Sequence, residues 1–228
     1  MIKGVITLGK LIVLEGLDGC GKSTQLSKLE ENFIKNKIKF KTVSFPEYDE
    51  PSCEPVKMYL NGRFGKKPGD VNAYTASLFF AIDRYASFRL KWEEFYNEGG
   101  IILAGRYTTS NAIHQMSKMN SDEWEEYLNW MEDLEFNKIG IPKPDAVIFL
   151  DMPLEVSNEF LTKRYNGDET KRDIHENDGE YLKNCRKAAY FAAEKLNWQI
   201  INCAKDNKAR TIDDISEEIL NKVKEVIK

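Results

Sequence analysis

The sequence predicts an α/β fold: a five-stranded parallel sheet with helices on both faces. Five short runs rich in apolar residues, Leu11–Glu15, Lys41–Phe45, Ile101–Ala104, Ala146–Asp151 and Gln199–Cys203, alternate with longer segments of helical period. That alternation builds a parallel sheet. Several of the runs are almost unbroken in apolar character, as strands covered on both faces must be. Finally, a glycine-rich stretch, GLDGCGKST, follows the first run directly and opens an amphipathic segment.

Taken in order, the first strand leads through Gly16–Thr24 into a helix over Lys22–Asn36. Helical period then recurs over Ala73–Tyr96, Asp122–Lys138, Pro153–Arg164, Tyr181–Leu196 and Ile212–Val226. The last helix has a start signal, Thr211 with Asp214 three residues on, followed by Ile212, Ile215 and Ile219 on one face. The polar stretch Tyr165–Gly179 is too hydrophilic to bury. It reads as a mobile lid, at about residues 164–179, or as a solvated loop; the lid is favoured because the loop at Gly16–Thr24 would need covering from water. No repeat or low-complexity linker divides the chain, so residues 1–228 read as one domain.

Composition narrows the function classes. The 228 residues are 42% hydrophobic and 31% charged, with a net charge of −4. A mildly acidic balance argues against nucleic acid as the main partner. Cys20, Cys53, Cys185 and Cys203 show no metal-site spacing, and a disulfide framework is not expected at this size. No stretch approaches a membrane span, and a reducing cytoplasm is the expected setting.

The chemistry is concentrated in GxxxxGKS. Glycines let successive amides converge on phosphate oxygens, and the following helix adds its N-terminal dipole. The ATP-binding set is therefore Gly16, Leu17, Asp18, Gly19, Cys20, Gly21, Lys22, Ser23 and Thr24. Lys22 supplies charge to the outer phosphates and the Ser23 hydroxyl a ligand for Mg²⁺. The loop has no basic residue at positions 17–20, so the charge of a transferring phosphoryl group needs another source. Lys163, Arg164, Lys171 and Arg172 are the nearest supply, unless that run is a solvated surface.

Two further clusters have two readings each. Phe80 and Arg84 lie four apart on one helical face, as a base-stacking ring with a phosphate-holding cation, or as a core residue with a surface ion-pair partner. Arg106, Ser110, Asn111 and Gln115 follow the Ile101–Ala104 strand, where open parallel sheets bind ligands. They form a polar cluster near the phosphates, or a helix-entry loop whose hydroxyls merely cap. His114 and His175 are the only histidines and lack companion ligands for a metal.

Together these residues resemble the thymidylate kinase family along nearly the whole chain. The matching pieces are EGLDGCGKSTQ at Glu15–Gln25, Phe45–Pro46, LFFAIDRY at Leu78–Tyr85, RYTTSNAIHQ at Arg106–Gln115, PKPDAVIFLD at Pro142–Asp151 and the charged stretch after Arg164. The resemblance implies a nucleoside-monophosphate-kinase fold with a lid, the reaction ATP + dTMP to ADP + dTDP with Mg²⁺, and a homodimer formed through helices. It implies a catalytic set of Lys22, Arg106, Arg164, Arg172 and Asp18. For the acceptor it implies Asp18 at the sugar, Phe80 stacked on thymine, and Arg84 and Arg106 on the phosphate. Ser110, Asn111 and Gln115 read the base, and Phe45 lines the site. His114 falls where many members carry a tyrosine beside the sugar.

Two departures stand out. Members usually show an acid immediately before the RY pair, where this chain has Gly105, and many carry an arginine shortly after the FP, where it has Glu47 and Tyr48. The alternatives are a kinase for another nucleotide, or a nucleotide-binding protein whose catalysis is weakened at Gly105.

Overall fold

The computed structural model describes residues 8–168, 175 and 178–228. Five strands, β1 (Lys10–Glu15), β2 (Phe40–Ser44), β3 (Ile101–Gly105), β4 (Ala146–Asp151) and β5 (Gln199–Asn202), form one parallel sheet in the order β2-β3-β1-β4-β5. The chain winds one way from β1 and returns on the other side to β4, so the strand order reverses at the carboxyl end of β1. That is where such sheets hold ligands. Leu14 pairs with Gly105 and Gly105 with Ser44, which brings the ends of three strands level.

Side chains alternate across each strand, so the sheet has two buried faces. Leu11, Val13, Ile102, Ala104, Val147 and Phe149 pack under α3 (Ala73–Ser87), α5 (Thr109–His114), α6 (Trp124–Glu132) and α8 (Gly179–Lys195). Ile12, Leu14, Leu103, Ile148 and Leu150 pack under α1 (Lys22–Lys35) and α9 (Ile212–Val226), through Leu29, Phe33, Ile215, Ile219 and Val223. The Thr211 side chain accepts the Asp214 N–H at 3.1 Å, the cap its spacing predicts.

The expected helices need adjustment at their ends. Ala73–Tyr96 is not one regular helix: α3 passes through a wide π-type turn at Phe88–Trp92 into α4 (Glu93–Asn97). Asp122–Lys138 likewise opens on a 3₁₀ turn and widens at Asp133–Ile139. Period alone misses α2 (Glu54–Leu60) and α5, each under two full turns. It also misses the small antiparallel pair β6 (Ala204–Lys205) and β7 (Lys208–Ala209). The segment before the lid is α7 (Leu154–Arg164).

A buried ion pair ties the helical layer together. Arg84 on α3 is 1% exposed and Glu135 is 0% exposed; Arg84 Nε donates to Glu135 Oε2 at 3.1 Å and its Nη2 to Oε1. Asn111 Nδ2 on α5 donates to the same carboxylate at 3.2 Å. The reading of Arg84 as a surface ion-pair partner is corrected here: the pair exists, but it is buried, because Glu135 sits on the apolar stripe of its helix with Tyr127, Leu128 and Met131. Removing one partner of such a pair leaves a buried charge uncompensated. Glu135→Leu is therefore expected to lower unfolding free energy by about 3–5 kcal/mol, and Glu135→Leu with Arg84→Met to recover most of it. Urea unfolding checks this; a single variant as stable as the parent would contradict it.

Candidate active site

β1 ends in Glu15, and the chain turns through three glycines in left-handed or related conformations: Gly16 (φ 155°), Gly19 (φ 75°) and Gly21 (φ 92°). At Gly19 a Cβ would also run into the backbone carbonyl of Ser157 on α7, so glycine is required twice over. Gly21 caps α1, whose first turn carries no acidic residue. That leaves a fourteen-residue helix with its N-terminal N–H groups and positive dipole end facing the loop. Lys22 Nζ donates to the carbonyls of Gly16 (2.7 Å) and Leu17 (2.9 Å) and lies 3.7 Å from Cys20 Sγ.

This loop floors a cavity of about 730 Å³, within the usual range for small-molecule sites. Asp18, Gly19, Cys20, Gly21, Lys22, Ser23 and Thr24 line it. Gly16 and Leu17 do not; they back the loop and supply the carbonyls that hold Lys22. Arg164 reaches the same cavity from the end of α7, and Arg210 borders it from the chain before α9. Lys163 does not line it; its Nζ lies 5.9 Å over the ring of Phe160, which does. Lys171, Arg172 and half of the proposed lid (169–174, 176 and 177) lie outside the described residues.

Beside the loop, the chain leaving β3 carries Arg106 with a left-handed backbone (φ 67°), uncommon for a non-glycine residue. Its N–H donates to Leu14 O at 3.0 Å. Its guanidinium donates to Asp18 through Nη2, and through Nη1 to Glu15 (3.4 Å), Ser110 Oγ (3.3 Å) and His114 Nε2 (3.2 Å). Glu15 is 0% exposed and fully engaged: it also accepts from Gly16 N (2.9 Å), Thr109 Oγ1 (2.7 Å) and Ser110 Oγ (2.8 Å). Burial opposes the charge on Asp18, but Arg106 and Lys22 outweigh it and hold the carboxyl well below the usual carboxylate range. Burial likewise opposes the charge on Arg106; Asp18 and Glu15 outweigh it and raise its pKa further.

All eight residues expected around the acceptor, Asp18, Phe45, Phe80, Arg84, Arg106, Ser110, Asn111 and Gln115, line one second cavity of about 80 Å³ next to the first. Phe80 is half-buried, edge-on to Tyr59 with ring centroids 6.3 Å apart, so it is not a closed core residue. Arg84 lies at the Asn111 end, drawn there by Glu135. Gln115 is buried, and among the described residues its Oε1 has no hydrogen-bond partner. His114 lines it too, as its place beside the sugar in the resemblance implies, and the cavity is completed by Pro46, Tyr48, Leu60, Tyr107 and His175, to which the sequence reading gave no role.

Both departures take definite places. Gly105 lies outside the left-handed region, and a Cβ there would sit 3.2 Å from Leu26 Cδ2 and from Ser44 Oγ. A side chain would thus need its neighbours to yield slightly. Glu47 turns its carboxylate to Ser87 and Lys91, while its own N–H is held by Asp83 at 2.9 Å. Tyr48 borders both cavities.

Of the residues missed, Glu135 had a signal, a carboxylate at a core position of an amphipathic helix. His175 had none, since it sits in a stretch that is polar apart from Ile174 and shows no period.

Comparison with known proteins agrees with this geometry. A family model described as thymidylate kinase matches residues 14–215. The chain is 30% identical over 224 residues to the thymidylate kinase of Dictyostelium discoideum, covering 95% of this chain and 86% of that protein. It is 27% identical over 190 residues to that of Mycobacterium tuberculosis, covering 82% and 87%. The solved structure of a Candida albicans thymidylate kinase superposes with a TM-score of 0.70 at 22% identity, over 97% of this chain and 94% of that one. With a strand-loop-helix phosphate cradle, an adjoining polar pocket and a match along most of its length, the chain belongs to the thymidylate kinase family.

Proposed function

We infer that the chain transfers the terminal phosphoryl group of ATP to dTMP, giving ADP and dTDP. The observation that carries this reading is the pairing of two adjoining cavities, one floored by the phosphate loop and one lined by every residue expected of the acceptor site, with Arg106 and Asp18 on the wall between them. Phosphoryl transfer needs little covalent help from protein, so positioning and charge carry the catalysis.

ATP fits the larger cavity, with its phosphates on the loop amides and the α1 terminus. Lys22 would exchange its carbonyl contacts for the outer phosphates. Ser23 fits Mg²⁺: its hydroxyl is a hard oxygen, and Mg²⁺ takes most of its shell from phosphates and water. Bound there, the ion supplies charge neutralisation on the donor phosphates. Arg164, exposed at the cavity rim, is the lid cation within the described residues. Arg172 is proposed alongside it.

dTMP is proposed to occupy the smaller cavity, which at about 80 Å³ has to widen as Arg106 turns from Asp18 to the acceptor phosphate. Phe80 offers its ring to the base, and Gln115 Oε1 is an acceptor that calls for an N–H. Thymine supplies one from its protonated N3; cytosine accepts at N3 and donates only from its exocyclic amine, so it would have to sit differently to meet the same oxygen. Arg84, expected from the resemblance to share the acceptor phosphate with Arg106, is instead proposed at the base end, because Glu135 holds it there beside Asn111; Ser110 and Phe45 complete the wall. The lid is proposed at about residues 164–179, in a single-domain chain.

The partner is proposed to be a second copy. Leu78, Ile82 and Tyr85 expose apolar side chains on α3, and Leu90 follows on the π-type turn. Sedimentation is expected at twice the chain mass of 26.3 kDa; a monomer at micromolar concentration would contradict it. A cytoplasmic setting suits four free, buried cysteines, and no described helix is long and apolar enough to cross a membrane.

A coupled ADP-release assay with each nucleoside monophosphate tests the function. Turnover is expected to be fastest with dTMP, and Lys22→Ala to reduce it by roughly 10²–10³-fold, the usual effect of deleting one electrostatic stabiliser. A better acceptor than dTMP, or a Lys22→Ala variant with parental turnover, would overturn the assignment.

A further inference from the structure

We propose that His114 is a positioning residue for Arg106, holding the guanidinium as a neutral hydrogen-bond acceptor whose proton is fixed from the far side by α8. The inference rests on the reading of Arg106 as the arginine that meets the acceptor phosphate.

Arginine can only donate, so the 3.2 Å contact between Arg106 Nη1 and His114 Nε2 makes Nε2 the acceptor. It is the shortest of the three contacts that Nη1 makes with side chains. A neutral ring then carries its proton on Nδ1, which lies 3.7 Å from Cys185 Sγ on α8. The rest of the circuit follows by donor counting. Ser117 Oγ donates to His114 O at 3.1 Å, so it accepts from the Cys185 thiol at 3.3 Å. Tyr181 donates to the same carbonyl at 2.7 Å. Burial pushes the Cys185 thiol up to about 12, so it keeps its proton. The imidazole is thus oriented at both nitrogens, and its face stacks on His175 with centroids 5.6 Å apart.

The surroundings keep the ring neutral. It is buried beside Arg106 just after β3, His175 from the α7–α8 connection, and Cys185 and Tyr181 from α8, with the charge of Lys22 also acting on it; of the charged groups named, Asp18 alone favours the charged form. Burial first, then Arg106, hold its pKa well below the ordinary histidine range. Ordinary acid conditions should therefore leave it neutral, and stronger acid should convert the acceptor into a cation facing the guanidinium. A tyrosine at this position, with a hydroxyl able to donate, would not give the same one-way anchor.

The test compares kcat and KM for dTMP and ATP, together with the pH profile of kcat, in the parent, His114→Phe, His114→Gln, Cys185→Ala and Cys185→Ser. His114→Phe should lose on the order of 10-fold or more in kcat, the scale seen when an orienting partner is removed, with KM for ATP unchanged. His114→Gln, which keeps an acceptor, should recover most of the loss, with a kcat–pH profile that follows the parent's through ordinary acid conditions. Cys185→Ala should fall between them and Cys185→Ser should match the parent, which also covers the case of a His114→Phe chain that fails to fold. Parental kcat in both His114→Phe and Cys185→Ala would overturn the inference, as would His114→Gln acting no better than His114→Phe. Arg106→Ala separates the two readings: parental kcat there would overturn the role of Arg106 itself.

Discussion

One buried carboxylate holds the site together. Glu15 ends β1, the strand at which the sheet order reverses, and two loops leave side by side from β1 and β3. Its oxygens accept from Gly16 at the start of the phosphate loop and from Thr109 and Ser110 at the start of α5, and they face Arg106. A charge removed from water is tolerable only when its lone pairs are engaged and a counter-charge is near. Both conditions are met by groups drawn from the two loops. Donor and acceptor halves are therefore fixed relative to each other by electrostatic necessity, and not only by packing.

The strain at Arg106 follows from the same constraint. A non-glycine residue in the left-handed region costs of order 1–3 kcal/mol and persists only where surroundings over-determine it. Here the backbone N–H is held by Leu14 and the side chain by Asp18, Glu15, Ser110 and His114. The result is a cation aimed along the wall between the cavities, with Lys22 on the donor side. Both cations rest on oxygens of the loop, which a phosphate can replace with a gain in charge pairing. The missing acid at Gly105 leaves Ser44 Oγ as the polar group next to that position.

Much of this was legible in the sequence. Continuous apolar runs marked strands covered on both faces, and the GxxxxGKS spacing located the loop that floors the larger cavity, because glycines at that spacing let successive amides aim at one point. The eight residues expected around the acceptor line one cavity: the segments leaving β1, β2 and β3 meet at the strand ends, and α3 brings Phe80 and Arg84 over them. What was not legible depends on distant pairing. Arg84 looked solvent-facing because its partner Glu135 is 51 residues away, and His175 gave no signal because a polar stretch does not reveal which residue turns inward. The π-type turns escaped because a widened helix keeps nearly the same apolar stripe.

The central claim is that Arg106, held between the two loops by Glu15 and Asp18, is presented to the acceptor's phosphate and not to its nucleoside. Calorimetric titration of the parent and Arg106→Ala with dTMP and with thymidine measures this directly. The account predicts that the variant loses the preference for dTMP over thymidine while thymidine affinity stays unchanged. An equal loss for both ligands would contradict it, showing that Arg106 shapes the pocket and does not meet the phosphate.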